Sequence, residues 1–342
     1  MIQPEVLETQ CEWSAADVAD PAKWTEVLTP QEIREIDDAI AHARAKSDDF
    51  LQIGKEDFPL PTLGKRLLRI EDELMNGRGF VLIRGLPRER YDNDSMCLAY
   101  WGIGAHLGKP WPQNHKGHML GDVLDQGKTP DDPTARGNEL GQIGLDYHCD
   151  GSDLIGLLCL QTGVRGGQSA VANSVTLHNM LVRTRPDLAA ELYNPQPYDF
   201  RGEQRPGGKG WYTVPVFSRC GQRLFVRLIT AYIVASQRHA DAPRLTEKAK
   251  EGLKWMRAEA ESNRHSVIMD FQPGDMQFVN NYHVLHGRLP YVDDPSIGKV
   301  RHLKRLWLET EMLAERPVHF SNRSRSHWLE KKSISRLDAT RS

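Results

Sequence analysis

The sequence places a histidine and an aspartate two residues apart, in His148-Cys149-Asp150, and offers a matching second histidine only far down the chain, in Val284-Leu285-His286-Gly287-Arg288. Side chains at i and i+2 of a β-strand share a face, so one short extended segment can turn a neutral imidazole and a carboxylate toward a single ion. If His286 completes that set, strands remote in sequence must lie side by side. A fold with extensive non-local strand pairing follows, and a jelly roll satisfies that requirement.

Two histidines and one carboxylate leave coordination positions open, the pattern of a non-haem Fe(II) centre rather than of closed structural zinc. The chain carries its own control in a second His-x-Asp, His239-Ala240-Asp241, which sits in a polar stretch ending at Pro243 and reads as a frayed helix end. His148 instead leads into Gly151-Ser152 and the apolar run Leu154-Ile155-Gly156-Leu157-Leu158-Cys159-Leu160, a site at the mouth of a buried strand. Cys149 alternates away from the metal face and reads as a packed small side chain. Between His283 and His286 only one can join the set, and His286 is favoured by its glycine neighbour, which permits close backbone approach.

Further pieces recur in a recognisable order: Arg78-Gly79-Phe80-Val81-Leu82-Ile83-Arg84-Gly85, Leu107-Gly108-Lys109-Pro110, Tyr147-His148-Cys149-Asp150, Gly166-Gly167-Gln168-Ser169, Pro273-Gly274-Asp275, Asn280-Asn281, His286-Gly287-Arg288 and Arg301-His302-Leu303-Lys304-Arg305. With these the chain resembles the taurine dioxygenase-like (TauD/TfdA) Fe(II)/2-oxoglutarate-dependent dioxygenases from about Gly79 to Glu309. The resemblance implies a β-rich α+β fold, a double-stranded β-helix (jelly roll) with flanking helices. It implies that His148, Asp150 and His286 hold Fe(II), and that Arg301, with Ser169, binds the distal carboxylate of 2-oxoglutarate. A planar guanidinium suits that clamp because it can meet a carboxylate through two charge-assisted bonds.

By the same resemblance O2 and 2-oxoglutarate give succinate and CO2 while a substrate C–H bond is oxidised. The carboxylate of Asp150, which halogenating relatives lack, favours hydroxylation or a related oxidation. Arg305, four residues after Arg301 on the same strand, should face the same way and meet a carboxylate or sulfonate on the substrate. Two departures stand out: Ser169 lies nearer to Asp150 than the family's threonine often does, and the interval from His286 to Arg301 has room for a loop through Asp293-Asp294-Pro295-Ser296.

The 342 residues allow a large core and read as a single catalytic domain: a helical part over 1–78, a jelly-roll core over 79–310 and a basic tail over 312–342. The tail has seven Lys or Arg against three acidic residues and reads as a solvated surface or a homo-oligomer contact rather than a nucleic-acid patch. Overall, 44 basic residues against 46 acidic ones give no field that would draw nucleic acid. Five cysteines without a Cys-x-x-Cys argue against a disulfide framework. No signal peptide or membrane span is visible, so a cytoplasmic protein acting on a small, anionic molecule is expected.

Helices are expected over 29–45, 63–75, 95–107, 175–182, 186–192 and 246–262. Strands are expected over 80–83, 169–172, 266–271, 276–279, 284–288 and 300–309, with a hairpin joining 212–217 to 223–227. Tyr100 and Trp101 read as core. The stretch 108–145 is too long for an idle connection and reads as a lid or substrate wall, with Gln113 and Asn114 as candidate substrate contacts, turn hydrogen bonds being the competing reading. From the residues alone two rivals stay open: a metal-dependent hydrolase or isomerase on a jelly roll, which leaves Arg301 and Ser169 idle, and a non-catalytic protein binding an organic anion, which leaves the ligand set idle.

Overall fold

The computed structural model describes residues 4–114 and 116–320, so from Ser321 onward the basic tail lies outside the described residues. Two β-sheets face each other. The larger runs in the order Thr25–Val27, Phe80–Arg84, Met276–Asn280, Leu154–Gln161, His302–Glu309 and Lys109–Trp111, with Leu120–Val123 also paired to His302–Glu309. The smaller is ordered Ser266–Met269, Ser169–Asn173, Val284–Arg288 and Leu145–His148. Apart from Thr25–Val27, parallel to Phe80–Arg84, neighbours in both sheets are antiparallel. Mid-chain strands thus pair with late ones, as the split metal set demands, and the architecture is a jelly roll with helices on its outer faces.

Alternation decides which side chains reach the space between the sheets. Along Met276–Asn280, Met276 and Phe278 pack outward with Leu67, Leu74 and Tyr100, whereas Val279 packs inward with Val171 and Val284. Along Val284–Arg288, Leu285 packs outward with Leu177 and Leu253, which leaves His286 and Arg288 on the inner side. The inner face carries both the apolar contact that joins the sheets and the polar groups of the site.

Local signals explain the helices. Pro30–Lys46 opens with a capping box in which Thr29 Oγ1 accepts from the Glu32 amide at 3.2 Å and Glu32 Oε2 accepts from the Thr29 amide at 2.8 Å. Such a cap is worth about 1 kcal/mol. Leu63–Asn76 buries Leu63, Leu67, Ile70 and Leu74 at helical spacing and stops at Gly77. Asn93–Leu107 starts two residues earlier than expected because Asp92 caps it, accepting from the Ser95 amide at 2.7 Å, and its Tyr100 and Trp101 are buried.

The expected hairpin is built differently. Trp211–Pro215 pairs with Pro195–Asp199, a strand whose two prolines hide it from a propensity reading, and the hairpin joins Phe217–Cys220 to Arg223–Val226 across Gly221 and Gln222. Pro215 breaks the run that reads as one strand. The stretch 108–145 also proves partly ordered, since Lys109–Trp111 and Leu120–Val123 extend the larger sheet. Among the described residues no helix is long and apolar enough to cross a membrane. All five cysteines are free.

Candidate metal centre

His286 lies directly opposite His148 in the antiparallel pair Val284–Arg288 and Leu145–His148, with ring centroids 4.4 Å apart. Asp150 is not on the strand, which ends at His148. It reaches the same place because its backbone is tied down: the Asp150 amide donates to Asn281 Oδ1 at 2.7 Å, and its carbonyl accepts from Asn281 Nδ2 at 2.8 Å and Arg227 Nη1 at 2.6 Å. One candidate ligand atom from each of His148, Asp150 and His286 falls within 4.8 Å of the other two. Cys149, between them, turns away into the outer core.

The donor set fits a divalent ion with open positions. His148 Nδ1 lies 2.7 Å from the Asp146 carbonyl, a bond that fixes the tautomer and leaves Nε2 for a metal. Burial, then the nearby His148, pushes the His286 imidazole down to about 3, so it is neutral at physiological pH. Burial alone would raise the Asp150 carboxyl, but Arg305, then the two histidines, hold it well below the usual carboxylate range. A neutral His286 imidazole and an ionised Asp150 carboxylate are the protonation states that metal ligation requires.

Asp150 Oδ2 also accepts from Arg305 Nη1 at 3.0 Å and Trp307 Nε1 at 3.1 Å. Arg305 therefore shares the inner face with Arg301, as its spacing implies, but is engaged on Asp150 and, through Nε, on Gln113 Oε1 at 2.8 Å. Gln113 is buried, and its Nε2 donates to the Met119 and Arg305 carbonyls. Asn114 Oδ1 accepts from the Lys116 and His118 amides, the turn pattern. Both line a polar vestibule that shares Arg136, Asn138 and Arg305 with the inner cavity.

At the other end of the inner cavity, about 80 Å³ in volume, stand Ser169, Arg288 and Arg301. Arg301 donates through Nε and Nη2 to the Gly167 carbonyl at 3.2 and 3.0 Å, while its buried Nη1 has no partner. Burial, then repulsion from Arg288, lowers the Arg301 guanidinium to about 10. Gly167 adopts φ +74°, and a Cβ there would sit 2.6 Å from Arg301 Nε, so the Gly166-Gly167 pair is a steric requirement of this clamp. Ser169 Oγ donates to Gln277 Oε1 at 2.9 Å.

His239 and His283 lie outside the ligand set. His239 Nε2 bonds the buried Asp199 carboxylate at 2.9 Å, so the second His-x-Asp has a different partner. His283 lies in the turn before Val284, 3.3 Å from Asn280 Nδ2, and burial pushes it down to about 3. Asn281 and Arg227 set the Asp150 backbone. In sequence Arg227 reads as structural or pocket-lining, and Asn281 only as part of the Asn280-Asn281 pair preceding His286.

Residues 43–307 match the family described as taurine catabolism dioxygenase TauD, TfdA family, and the chain belongs to that family. It is a non-haem iron, 2-oxoglutarate-dependent dioxygenase acting on a small molecule. Among curated proteins it is 29% identical over 312 residues to FR-33289 synthase of Streptomyces rubellomurinus (strain ATCC 31215), covering 90% of this chain and 92% of that one. It is 25% identical over 324 residues to the taurine hydroxylase-like protein SAT17 of Stachybotrys chartarum (strain CBS 109288 / IBT 7711), covering 91% and 81%. The non-haem iron oxygenase OrfP in complex with Fe and alpha-ketoglutaric acid superposes with a TM-score of 0.63 at 16% identity, covering 84% of this chain and 94% of that chain. Asparagine oxygenase in complex with Fe(II), 2S,3S-3-hydroxyasparagine and succinate gives 0.62 at 17% identity, covering 86% and 97%.

Proposed function

We propose that His148, Asp150 and His286 hold the Fe(II), that Arg301 with Ser169 receives the distal carboxylate of 2-oxoglutarate, and that a small organic anion is hydroxylated beside them. The observation that carries this reading is one cavity with a two-histidine, one-carboxylate set at one end and a buried, unpaired arginine at the other. When bound, the iron and 2-oxoglutarate supply the oxidising chemistry, with O2 consumed and succinate and CO2 released. The chain's own contribution is placement and exclusion of water. Leu157, Leu303 and Val123 form apolar walls beside the ligand set and keep the reacting carbon away from solvent.

The substrate enters, on this reading, from the vestibule past Arg136 and Arg305. Arg305 meets its anionic group with the guanidinium edge that Asp150 and Gln113 leave free. Two solved relatives hold amino acids, (3S)-hydroxy-L-Arg in OrfP and 2S,3S-3-hydroxyasparagine in asparagine oxygenase, and every amino acid carries such a carboxylate. A hydrolase would leave the arginine end without a task. Succinate formation by the Fe(II)-loaded protein with 2-oxoglutarate and air, across amino acids, other carboxylates, sulfonates and uncharged amides of the same acids, tests the proposal. Substrate-stimulated succinate is expected, and succinate stimulated only by uncharged compounds would remove the anion from it.

A further inference from the structure

We propose that Arg288 is a second cationic contact for the distal carboxylate of 2-oxoglutarate, so that two guanidiniums, not Arg301 alone, receive the co-substrate's anionic end. The inference rests on the reading of this cavity as a 2-oxoglutarate site. Arg288 is two residues beyond His286 on the same strand and therefore shares its inward face. Ser169 lies directly opposite it in the register of the neighbouring strand. Arg301 approaches from the facing sheet, and both guanidiniums stand over the same ring, that of Tyr291, at 4.9 Å and 5.3 Å from its centroid.

The two side chains are 6% and 4% exposed, yet Arg288 Nε, Arg288 Nη1 and Arg301 Nη1 have no hydrogen-bond partner. The neighbouring carboxylate does not resolve this, because Asp293 Oδ1 is taken by the Arg301 amide and its Oδ2 meets no donor. Buried guanidiniums ordinarily sit beside an anion, and two in one cavity repel each other until one arrives. A carboxylate has two oxygens and about four acceptor directions, enough for donors from Arg288 and Arg301 together, and for Ser169 once its hydroxyl turns from Gln277. Arg288 Nη2 is held at 2.9 Å by the Leu140 and Ile143 carbonyls, which anchors the guanidinium and leaves Nε and Nη1 as the donors a ligand could use.

The test compares two acids in the anaerobic, Fe(II)-loaded protein: 2-oxoglutarate, and 2-oxopentanoate, which keeps the chelating end but lacks the distal charge. Calorimetry of Arg288→Met should show 2-oxoglutarate binding weakened about tenfold to a hundredfold, the worth of one hydrogen bond to a charged group. Binding of 2-oxopentanoate should be unchanged, and Arg288→Lys should fall between wild type and Arg288→Met for 2-oxoglutarate. Equal losses for both acids, or 2-oxoglutarate affinity within twofold of wild type in both variants, would overturn the proposal. If Arg288→Met does not fold, the same comparison in Arg288→Lys decides it. A wild-type protein that binds neither acid would overturn the 2-oxoglutarate reading itself, and this proposal with it.

Discussion

The two ends of the cavity between the sheets treat charge in opposite ways. At the metal end Asp150 is surrounded by its own protein's donors: Arg305 and Trp307 on the carboxylate, Asn281 and Arg227 on the backbone. At the far end the Arg288 and Arg301 guanidiniums hydrogen-bond only to carbonyls and stand over the Tyr291 ring. The first arrangement is internally balanced and fixes geometry, while the second leaves positive charge waiting for a ligand. A cation and a dianion bridging the two ends would satisfy both.

The largest effect should come from the unbalanced end. Arg301→Ala removes the paired charge of a buried carboxylate, a loss of about 3–5 kcal/mol, so the 2-oxoglutarate concentration for half-maximal turnover should rise more than a hundredfold while Fe(II) affinity is kept. Equal losses of iron and 2-oxoglutarate affinity would erase the distinction between the ends. Asn281→Ala should act on the balanced end instead, lowering Fe(II) affinity by about 10–100-fold through a displaced Asp150, as equilibrium dialysis would report. Gly167→Ala forces a side chain into positive φ against Arg301 and should cost about 1–2 kcal/mol in urea unfolding. It should also weaken 2-oxoglutarate binding and spare iron.

The smallest effect lies away from both ends and serves as a control. Burial pushes His178, bonded to Tyr193 Oη at 2.8 Å, down to about 4. The unfolded chain binds this proton below its ordinary value of 6.5 while the folded protein does not, so stability falls as pH drops from 6.5 toward 4. The slope is at most about 1.4 kcal/mol per pH unit. His178→Gln should flatten that part of the unfolding profile and leave 2-oxoglutarate binding unchanged.

The grouping of His148, Asp150 and His286 was legible from residue type and context, with His239-Ala240-Asp241 as the contrast, but not from strand spacing, since Asp150 lies beyond the end of the Leu145–His148 strand. The long-range pairing of the sheets followed from the same three residues. Arg305 was readable as inward-facing from its spacing, but its bond to Asp150 was not, since a side chain's partner across a cavity leaves no period in the sequence. The Pro195–Asp199 strand was hidden by its own prolines, and the pairing of Trp211–Pro215 was misassigned with it. The free donors of Arg288 were not readable in sequence, because burial and lack of a partner are properties of the packed molecule alone.

The most direct test is an anaerobic titration of the Fe(II)-loaded protein with 2-oxoglutarate, watching the visible charge-transfer band of the chelate. The band should appear in the wild type, and at the same concentration be absent in Asp150→Ala and Arg301→Ala. A wild type without the band, or both variants keeping it at full strength, would contradict the assignment of a metal end and an anion end to this cavity.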